Sequence, residues 1–187
     1  MNAFDFYLSF YGLLLGLSVA QVASGFLNAV GAREHITLGW LTPSLTIFVF
    51  LDLTSLWIYI WGIRDRIDVN WGTMFGALIV ALTYYMAAGL VFPRNIDEWT
   101  DLRDYYWRTK RLVVGGIILA NVTITAATTA LHPPVLDFSY WFGALTYWPM
   151  LVVLPFSKSA KLDLALLWIM IAGYLANIAL PTSWILR

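Results

Sequence analysis

The chain contains no cysteine among its 187 residues. Disulfides, thiolate nucleophiles and metal or iron–sulfur sites with cysteine ligands are therefore excluded. Histidine is almost as scarce, with only His35 and His132. The topology derived below puts these two on opposite sides of a membrane, so we expect no haem held by two histidines.

Charge is also scarce. Charged residues make up 12% of the chain, whereas soluble domains carry roughly 25%. Hydrophobic residues make up 60%, and the mean hydropathy is +0.74. Too few polar side chains remain to face water on all sides, so the composition predicts a lipid bilayer as the main partner. The net charge is zero, which gives no indication of a nucleic-acid partner.

The apolar residues are concentrated in six stretches, and a membrane-spanning helix needs about 20 such residues. The stretches cover residues 6–31, 37–62, 71–93, 111–132, 137–157 and 162–185. Pro149 and Pro181 lie inside the last two, where a membrane bundle tolerates proline if neighbouring groups satisfy the freed carbonyls. The sequence therefore predicts one all-α domain over residues 1–187, a bundle of about six transmembrane helices.

The longest polar gap, residues 94–110, predicts a short amphipathic helix between spans three and four. Its hydrophobic residues Trp99, Leu102 and Tyr106 recur at three- and four-residue spacing, which is typical of a helix lying at the membrane interface. The alternative is that this segment is a cytoplasmic extension of the fourth span.

Lysine and arginine are distributed unevenly between the two sides of the predicted topology. One side, with both termini, carries three of them: Arg64, Arg66 and Arg187. The other side carries eight: Arg33, Arg94, Arg103, Arg108, Lys110, Arg111, Lys158 and Lys161. Because basic loops stay in the cytoplasm, we expect a multi-pass protein of the cell inner membrane with both termini on the outer, periplasmic side.

Asp52 is the most informative residue, because it lies near the middle of the second predicted span. An ionised carboxylate there costs at least ~2.5–3.5 kcal/mol, and no lysine or arginine lies at comparable depth. Desolvation without a counter-charge favours the neutral carboxyl. Ser55 and Tyr59 share its helix face, so we expect both to donate hydrogen bonds to it. The pattern predicts a proton relay or a small-cation site; the alternative is a structural carboxyl bonded across helices.

Two amides complete the predicted site. Gln21 in the first span and Asn121 in the fourth lie at mid-depth, and Thr125, Thr128 and His132 continue the face of Asn121. If these faces meet that of Asp52, they form a polar site at the membrane centre. The alternative is that each amide makes only an interhelical hydrogen bond, worth ~0.6 kcal/mol on average.

Small residues at four-residue spacing predict close helix packing. They are Gly12, Gly16 and Ala20 in the first span, and Gly72 and Gly76 in the third. We expect them to form seams inside the chain; the alternative is a seam between two copies.

No catalytic or nucleotide-binding motif is present, so we predict no enzyme. The acidic residues between Asp97 and Asp104 are interrupted by Arg103, which favours a solvated surface over a metal site. All three lysines fall near the membrane surfaces, so we expect no covalently bound retinal. Binding of a pigment or quinone is left open.

These observations give two hypotheses for function. The first is a small transporter or channel for protons or a small cation, in which Asp52 titrates and the chain forms a homo-oligomer. The alternative is a non-catalytic accessory or scaffold subunit of a larger membrane complex. In that case the partner would dock on aromatic residues of the interface segment: Trp99, Tyr105, Tyr106 and Trp107.

Overall fold

The computed structural model describes residues 3–131, 133, 136 and 138–179. Within these residues the chain is helical. The α-helices are α1 (Ala3–Gly31), α2 (Leu41–Gly62), α3 (Trp71–Gly89), α4 (Leu102–Leu131), α5 (Phe138–Val153) and α6 (Ala160–Ala179). Short 3₁₀ turns cover Arg64–Arg66, Ile96–Glu98 and Leu154–Phe156. His132 and Pro181 lie outside the described residues.

Four helices are long and apolar enough to cross a membrane. They are Phe4–Gly31, Leu41–Gly62, Trp71–Gly89 and Leu102–Ala130, and Tyr140–Phe156 is a shorter apolar helix. The outer surface of the bundle is apolar as well, since Leu13, Leu27, Met86 and Leu145 are each more than 60% exposed. An apolar exterior of this kind suits lipid rather than water. The all-helical fold expected from the sequence is confirmed, and the four apolar helices fit a multi-pass membrane protein.

The ends of the helices alternate between two ends of the bundle. The backbone N–H of Thr37, between α1 and α2, donates to Thr100 O at 2.9 Å, and Leu102 N donates to Thr37 O at 3.0 Å. Lys110 near the start of α4 donates to Ser157 O, between α5 and α6, at 2.6 Å. The gaps after α1, α3 and α5 therefore meet at one end, which we call the basic end. The other end, where α2 and α4 end, is called the far end.

The amphipathic helix predicted over residues 94–110 is not a separate element. Ile96–Glu98 forms only a 3₁₀ turn, and α4 runs without interruption from Leu102 to Leu131. Asp101 begins α4 by accepting a hydrogen bond from Arg103 N on Oδ1 at 2.8 Å. Just before α4, the backbone pairs with Thr37 through hydrogen bonds at Thr100 and Leu102, on either side of an isolated bridge between Thr37 and Asp101. The alternative, an extension of the fourth helix, describes residues 102–110 correctly.

Three glycines let helices approach closely. A Cβ built on Gly12 would lie 2.8 Å from the Trp57 ring, and one on Gly25 would lie 2.7 Å from Phe92. A Cβ on Gly116 would lie 3.0 Å from Ala87 Cβ, which brings α4 against α3. Of the small residues predicted to form seams, only Gly12 is in such a contact.

The other predicted seam residues do not pack inside the chain, so that prediction is wrong for them. Among the described residues, no side chain lies within 4 Å of a Cβ built on Gly16 or Gly76, and Ala20 is exposed. Gly72 belongs to the start of α3, where its backbone N–H donates to Asn70 Oδ1 at 2.9 Å. Spacing alone could not tell an outward-facing small residue from an inward-facing one, because each helix has both faces.

We predict that Gly116→Val destabilises the bundle by about 1–3 kcal/mol, because added methyl groups would overlap Ala87. Gly115→Val is the matched control: it adds the same side chain to the same helix, where nothing lies within 4 Å. The free energy of unfolding can be measured by titration with dodecyl sulfate in mixed micelles. Equal stabilities of the two variants would contradict the close α3–α4 approach.

Candidate functional site

The Asp52 side chain is fully buried, with 0% of its surface exposed. It lies eleven residues after Leu41 and ten before Gly62. At a rise of 1.5 Å per residue it is therefore about 16 Å from either end of α2. The carboxyl therefore lies at mid-helix and is shielded from water, as expected.

Four polar side chains donate hydrogen bonds to the carboxyl oxygens. The Tyr84 hydroxyl and the Asn121 Nδ2 donate to Oδ2, the latter at 3.2 Å. The hydroxyls of Tyr147 and Tyr174 each donate to Oδ1 at 2.6 Å. These residues come from α3, α4, α5 and α6, so five helices meet at one carboxyl. We call this group of five side chains the Asp52 cluster.

Asn121 is held in one orientation by its own helix. Its Nδ2 lies 3.1 Å from the carbonyl oxygen of Ile117 and 2.6 Å from the Tyr84 hydroxyl. Because a carbonyl oxygen can only accept, the amide must present its NH₂ group on this side. The same NH₂ therefore faces Asp52, and the prediction that Asn121 lies beside Asp52 is correct in its geometry.

The donors around Asp52 are all uncharged. No lysine or arginine forms an ion pair with Asp52 within the described part of the chain. An ionised carboxylate can accept about four hydrogen bonds, which is the number found here. The described residues contain no group of three or more histidine, cysteine or acidic side chains that could hold a metal ion. The arrangement can stabilise a carboxylate with neutral donors.

Ser55 and Tyr59 do not donate to the carboxyl, contrary to expectation. Ser55 Oγ donates to the backbone oxygen of Asp52 at 2.7 Å, which is a common local bond for a short side chain inside a helix. Tyr59 lies two turns further along α2, and its hydroxyl is 2.5 Å from Thr128 Oγ1 of α4. Sharing a helix face with Asp52 was therefore not sufficient for contact with its carboxyl.

Gln21 is not part of the site. It is exposed, and its Nε2 would lie 3.7 Å from a Cβ built on Gly89, at the contact of α1 with α3. The prediction that Gln21 joins Asp52 is wrong, because the inner face of α1 presents the buried residues Tyr11, Leu15 and Ser18 instead.

The three tyrosines of the Asp52 cluster were missed from the sequence. Tyr84, Tyr147 and Tyr174 lie well inside α3, α5 and α6. Tyrosine is common at membrane interfaces, near the ends of spanning helices. A position well inside a helix is therefore the signal that distinguishes these three tyrosines. A buried tyrosine hydroxyl needs a partner, and the nearest mid-depth acceptor side chain is Asp52.

A second buried polar group, the Lys110 cluster, lies near the basic end. Lys110 Nζ is 2.7 Å from Asp163 Oδ2, and both side chains are at most 2% exposed. The Tyr106 hydroxyl donates to the same oxygen at 2.9 Å, and the Trp107 ring lies 4.1 Å from Nζ. Lys110 is enclosed by protein.

Two residues predicted to lie at the interface are buried instead, and one of them, Tyr106, belongs to the Lys110 cluster. Tyr106 and Leu102 are 2% and 0% exposed, so neither faces lipid or a partner. Trp99 is half-buried and packs against Tyr105 with ring centroids 5.0 Å apart. The predicted exposed aromatic surface is therefore mostly interior.

The two clusters are joined by the same pair of helices. Lys110 precedes Asn121 by eleven residues in α4, and Asp163 precedes Tyr174 by eleven residues in α6. The clusters are therefore about 16 Å apart along both helices. The residues between them, such as Val114 and Ile117 in α4, are buried and apolar.

Comparison with known proteins returned no match: no family model, curated protein or solved structure is similar to this chain.

We predict that Tyr84→Phe lowers the free energy of unfolding by about 1–3 kcal/mol, because it leaves Oδ2 of a buried carboxyl with one donor fewer. The neighbouring Tyr85 is 41% exposed, so Tyr85→Phe is the matched control and should change stability by less than about 0.5 kcal/mol. Dodecyl sulfate titration of both variants gives the comparison. A Tyr84→Phe variant as stable as the control would show that this bond contributes nothing.

We also predict that Lys110→Met destabilises the chain by about 3–5 kcal/mol, because it leaves Asp163 as an uncompensated buried charge. The double variant Lys110→Met, Asp163→Leu should lose much less than the sum of the two single changes. The exposed pair of Arg64 and Asp65, 3.7 Å apart, provides the control, and Arg64→Met should cost less than about 1 kcal/mol. Additive losses at Lys110 and Asp163 would contradict a coupled pair.

Proposed function

We propose that this protein is a small membrane transporter or channel for protons or a small cation, with Asp52 as the titrating group. One observation carries the proposal: a fully buried mid-helix carboxyl on which uncharged donors from four other helices converge. Both carboxyl oxygens have hydrogen-bond partners. The absence of a lysine or arginine partner for Asp52 among the described residues leaves its charge free to change.

Of the two substrates, the geometry favours the proton. A small metal cation would need several oxygen lone pairs directed at one point, but the side chains around Asp52 direct hydrogens at it. The helix α2 is also continuous from Leu41 to Gly62, so its backbone carbonyls are occupied by the helix. A proton needs only one carboxyl oxygen and a donor or acceptor beside it.

We further propose that all six helices span the membrane. The helix α6 has 20 residues, or about 30 Å, which matches the hydrocarbon core. The helix α5 has 16 residues and continues into the turn Leu154–Phe156. The first, third and fifth gaps meet at the basic end, which supports two crossings between each of these gaps and the next. The eight basic residues of that side favour a cytoplasmic basic end, an inner-membrane location and periplasmic termini.

The alternative function, an accessory or scaffold subunit, was based in part on an aromatic docking surface. Tyr105 and Tyr106 are at most 9% exposed, which leaves only the half-buried Trp99 and Trp107 to contact a partner there. We therefore keep transport as the proposed function, with a homo-oligomer as its expected assembly because the chain is small for a transporter.

Proton flux into proteoliposomes is expected to be lost in Asp52→Asn, which keeps the shape of the side chain but cannot titrate. Asp68 is exposed in the gap between α2 and α3, so Asp68→Asn makes the same chemical change outside the site and should keep full flux. The measurement is the decay of a pH gradient, followed with a pH-sensitive dye inside the vesicles. Flux in the parent protein should persist when sodium and potassium are replaced by a large organic cation.

Full proton flux in Asp52→Asn would remove Asp52 from the mechanism. Flux that requires sodium or potassium would replace the proton by a metal cation. Infrared difference spectra after a pH jump give a second readout, since the carbonyl stretch of a protonated Asp52 should appear in the parent and disappear in Asp52→Asn.

A further inference from the structure

The helix faces that carry Asp52 and Asn121 are polar toward the far end of the bundle. In α2, Ser55 and Tyr59 follow Asp52 by three and seven residues. In α4, Thr125 and Thr128 follow Asn121 by four and seven residues. These spacings keep the residues on one face of each helix. Two polar rows therefore run from the Asp52 cluster toward the far end.

The two rows are connected to each other at both ends. Asn121 donates to Asp52 Oδ2 at 3.2 Å, and the Tyr59 hydroxyl contacts Thr128 Oγ1 at 2.5 Å. Between these contacts the Ser55 side chain interacts with the phenol of Tyr174. Tyr59 is 42% exposed, so the rows extend from a buried carboxyl to the surface of the bundle.

The same two faces are apolar toward the basic end. Phe48 and Leu45 precede Asp52 by four and seven residues, and they are 0% and 2% exposed. Ile117 and Val114 precede Asn121 by the same intervals and are both 0% exposed. Close-packed interiors of this kind hold few voids larger than a water molecule. On these two faces, the positions one and two turns from Asp52 and Asn121 toward the basic end are therefore filled with hydrocarbon side chains.

We propose, building on the proposed function, that Asp52 exchanges protons with water from the far end only, along Ser55, Tyr59 and Thr128. Water reaches Ser55, and Tyr174 then connects it to the carboxyl. The Tyr174 hydroxyl gives its proton to Asp52 Oδ1 as it accepts a proton from that water, which leaves hydroxide to be neutralised by the aqueous phase. The apolar layer of Phe48, Leu45, Ile117 and Val114 prevents the same exchange toward the basic end.

Single cysteines test this access directly, because the chain has no cysteine of its own. Ser55→Cys and Val49→Cys lie three residues after and before Asp52; Thr128→Cys and Val114→Cys lie seven residues after and before Asn121. Each pair is matched in distance along its helix and differs only in direction. The exposed residues Asp68 and Arg33, changed to cysteine, mark the far end and the basic end.

The probe is the silver ion, which is small enough to follow water, added to one side of sealed vesicles. The protein is then denatured, and a maleimide labels every cysteine that silver has not blocked. Reaction with silver is therefore measured as a loss of maleimide labelling. We expect Ser55→Cys and Thr128→Cys to react only from the side that labels Asp68→Cys. Their rates should exceed those of Val49→Cys and Val114→Cys by about tenfold or more, because a thiol must be reached by solvent to react.

Reaction of Val49→Cys or Val114→Cys from the side that labels Arg33→Cys would overturn one-sided access. Protection of Ser55→Cys and Thr128→Cys from both sides would overturn the path itself. Neither outcome depends on flux, so failure of this inference is distinguishable from failure of the proposed function. If Asp52→Asn keeps full flux while the labelling is one-sided, the path along Ser55, Tyr59 and Thr128 exists and Asp52 is not the transporting group.

Discussion

The cost of burying one carboxyl organises the bundle. Asp52 cannot be solvated at mid-helix, so its oxygens must be satisfied by other helices. Each of α3, α4, α5 and α6 contributes one donor, and each donor fixes the depth and rotation of its helix relative to α2. Leucine packing alone gives little such definition, because apolar side chains can repack in several ways. The specificity of the arrangement therefore comes from a small number of polar bonds.

The two buried acids in the described part of the chain, Asp52 and Asp163, are satisfied in opposite ways. Asp163 is paired with a full positive charge, Lys110, and with the Tyr106 hydroxyl. Asp52 has only neutral donors. A buried ion pair resists any change of charge, because removing one charge strands the other. A carboxyl among hydroxyls and an amide has no such constraint. The first arrangement holds α4 and α6 together through a pair of opposite charges, and the second holds five helices together through neutral donors.

The sequence was most informative where a residue was expensive to bury. Asp52 and Asn121 could be chosen from depth alone, because a polar group in hydrocarbon has few ways to be satisfied. Gln21 met the same criterion and was wrong, since α1 has both an inner and an outer face and depth does not distinguish them. The tyrosines were missed because tyrosine occurs both in protein interiors and at membrane interfaces. The helix predicted over residues 94–110 failed because a long-range backbone pairing, Thr37 with the segment before α4, overrode local periodicity.

Two helices, α4 and α6, are connected at both clusters. Lys110 and Asp163 connect them near the basic end, and Asn121 and Tyr174 meet through Asp52 about 16 Å away along the axes. Two contacts this far apart prevent α4 and α6 from sliding along each other or rotating relative to each other. Any rearrangement that keeps both contacts must therefore carry α4 and α6 as a single rigid unit.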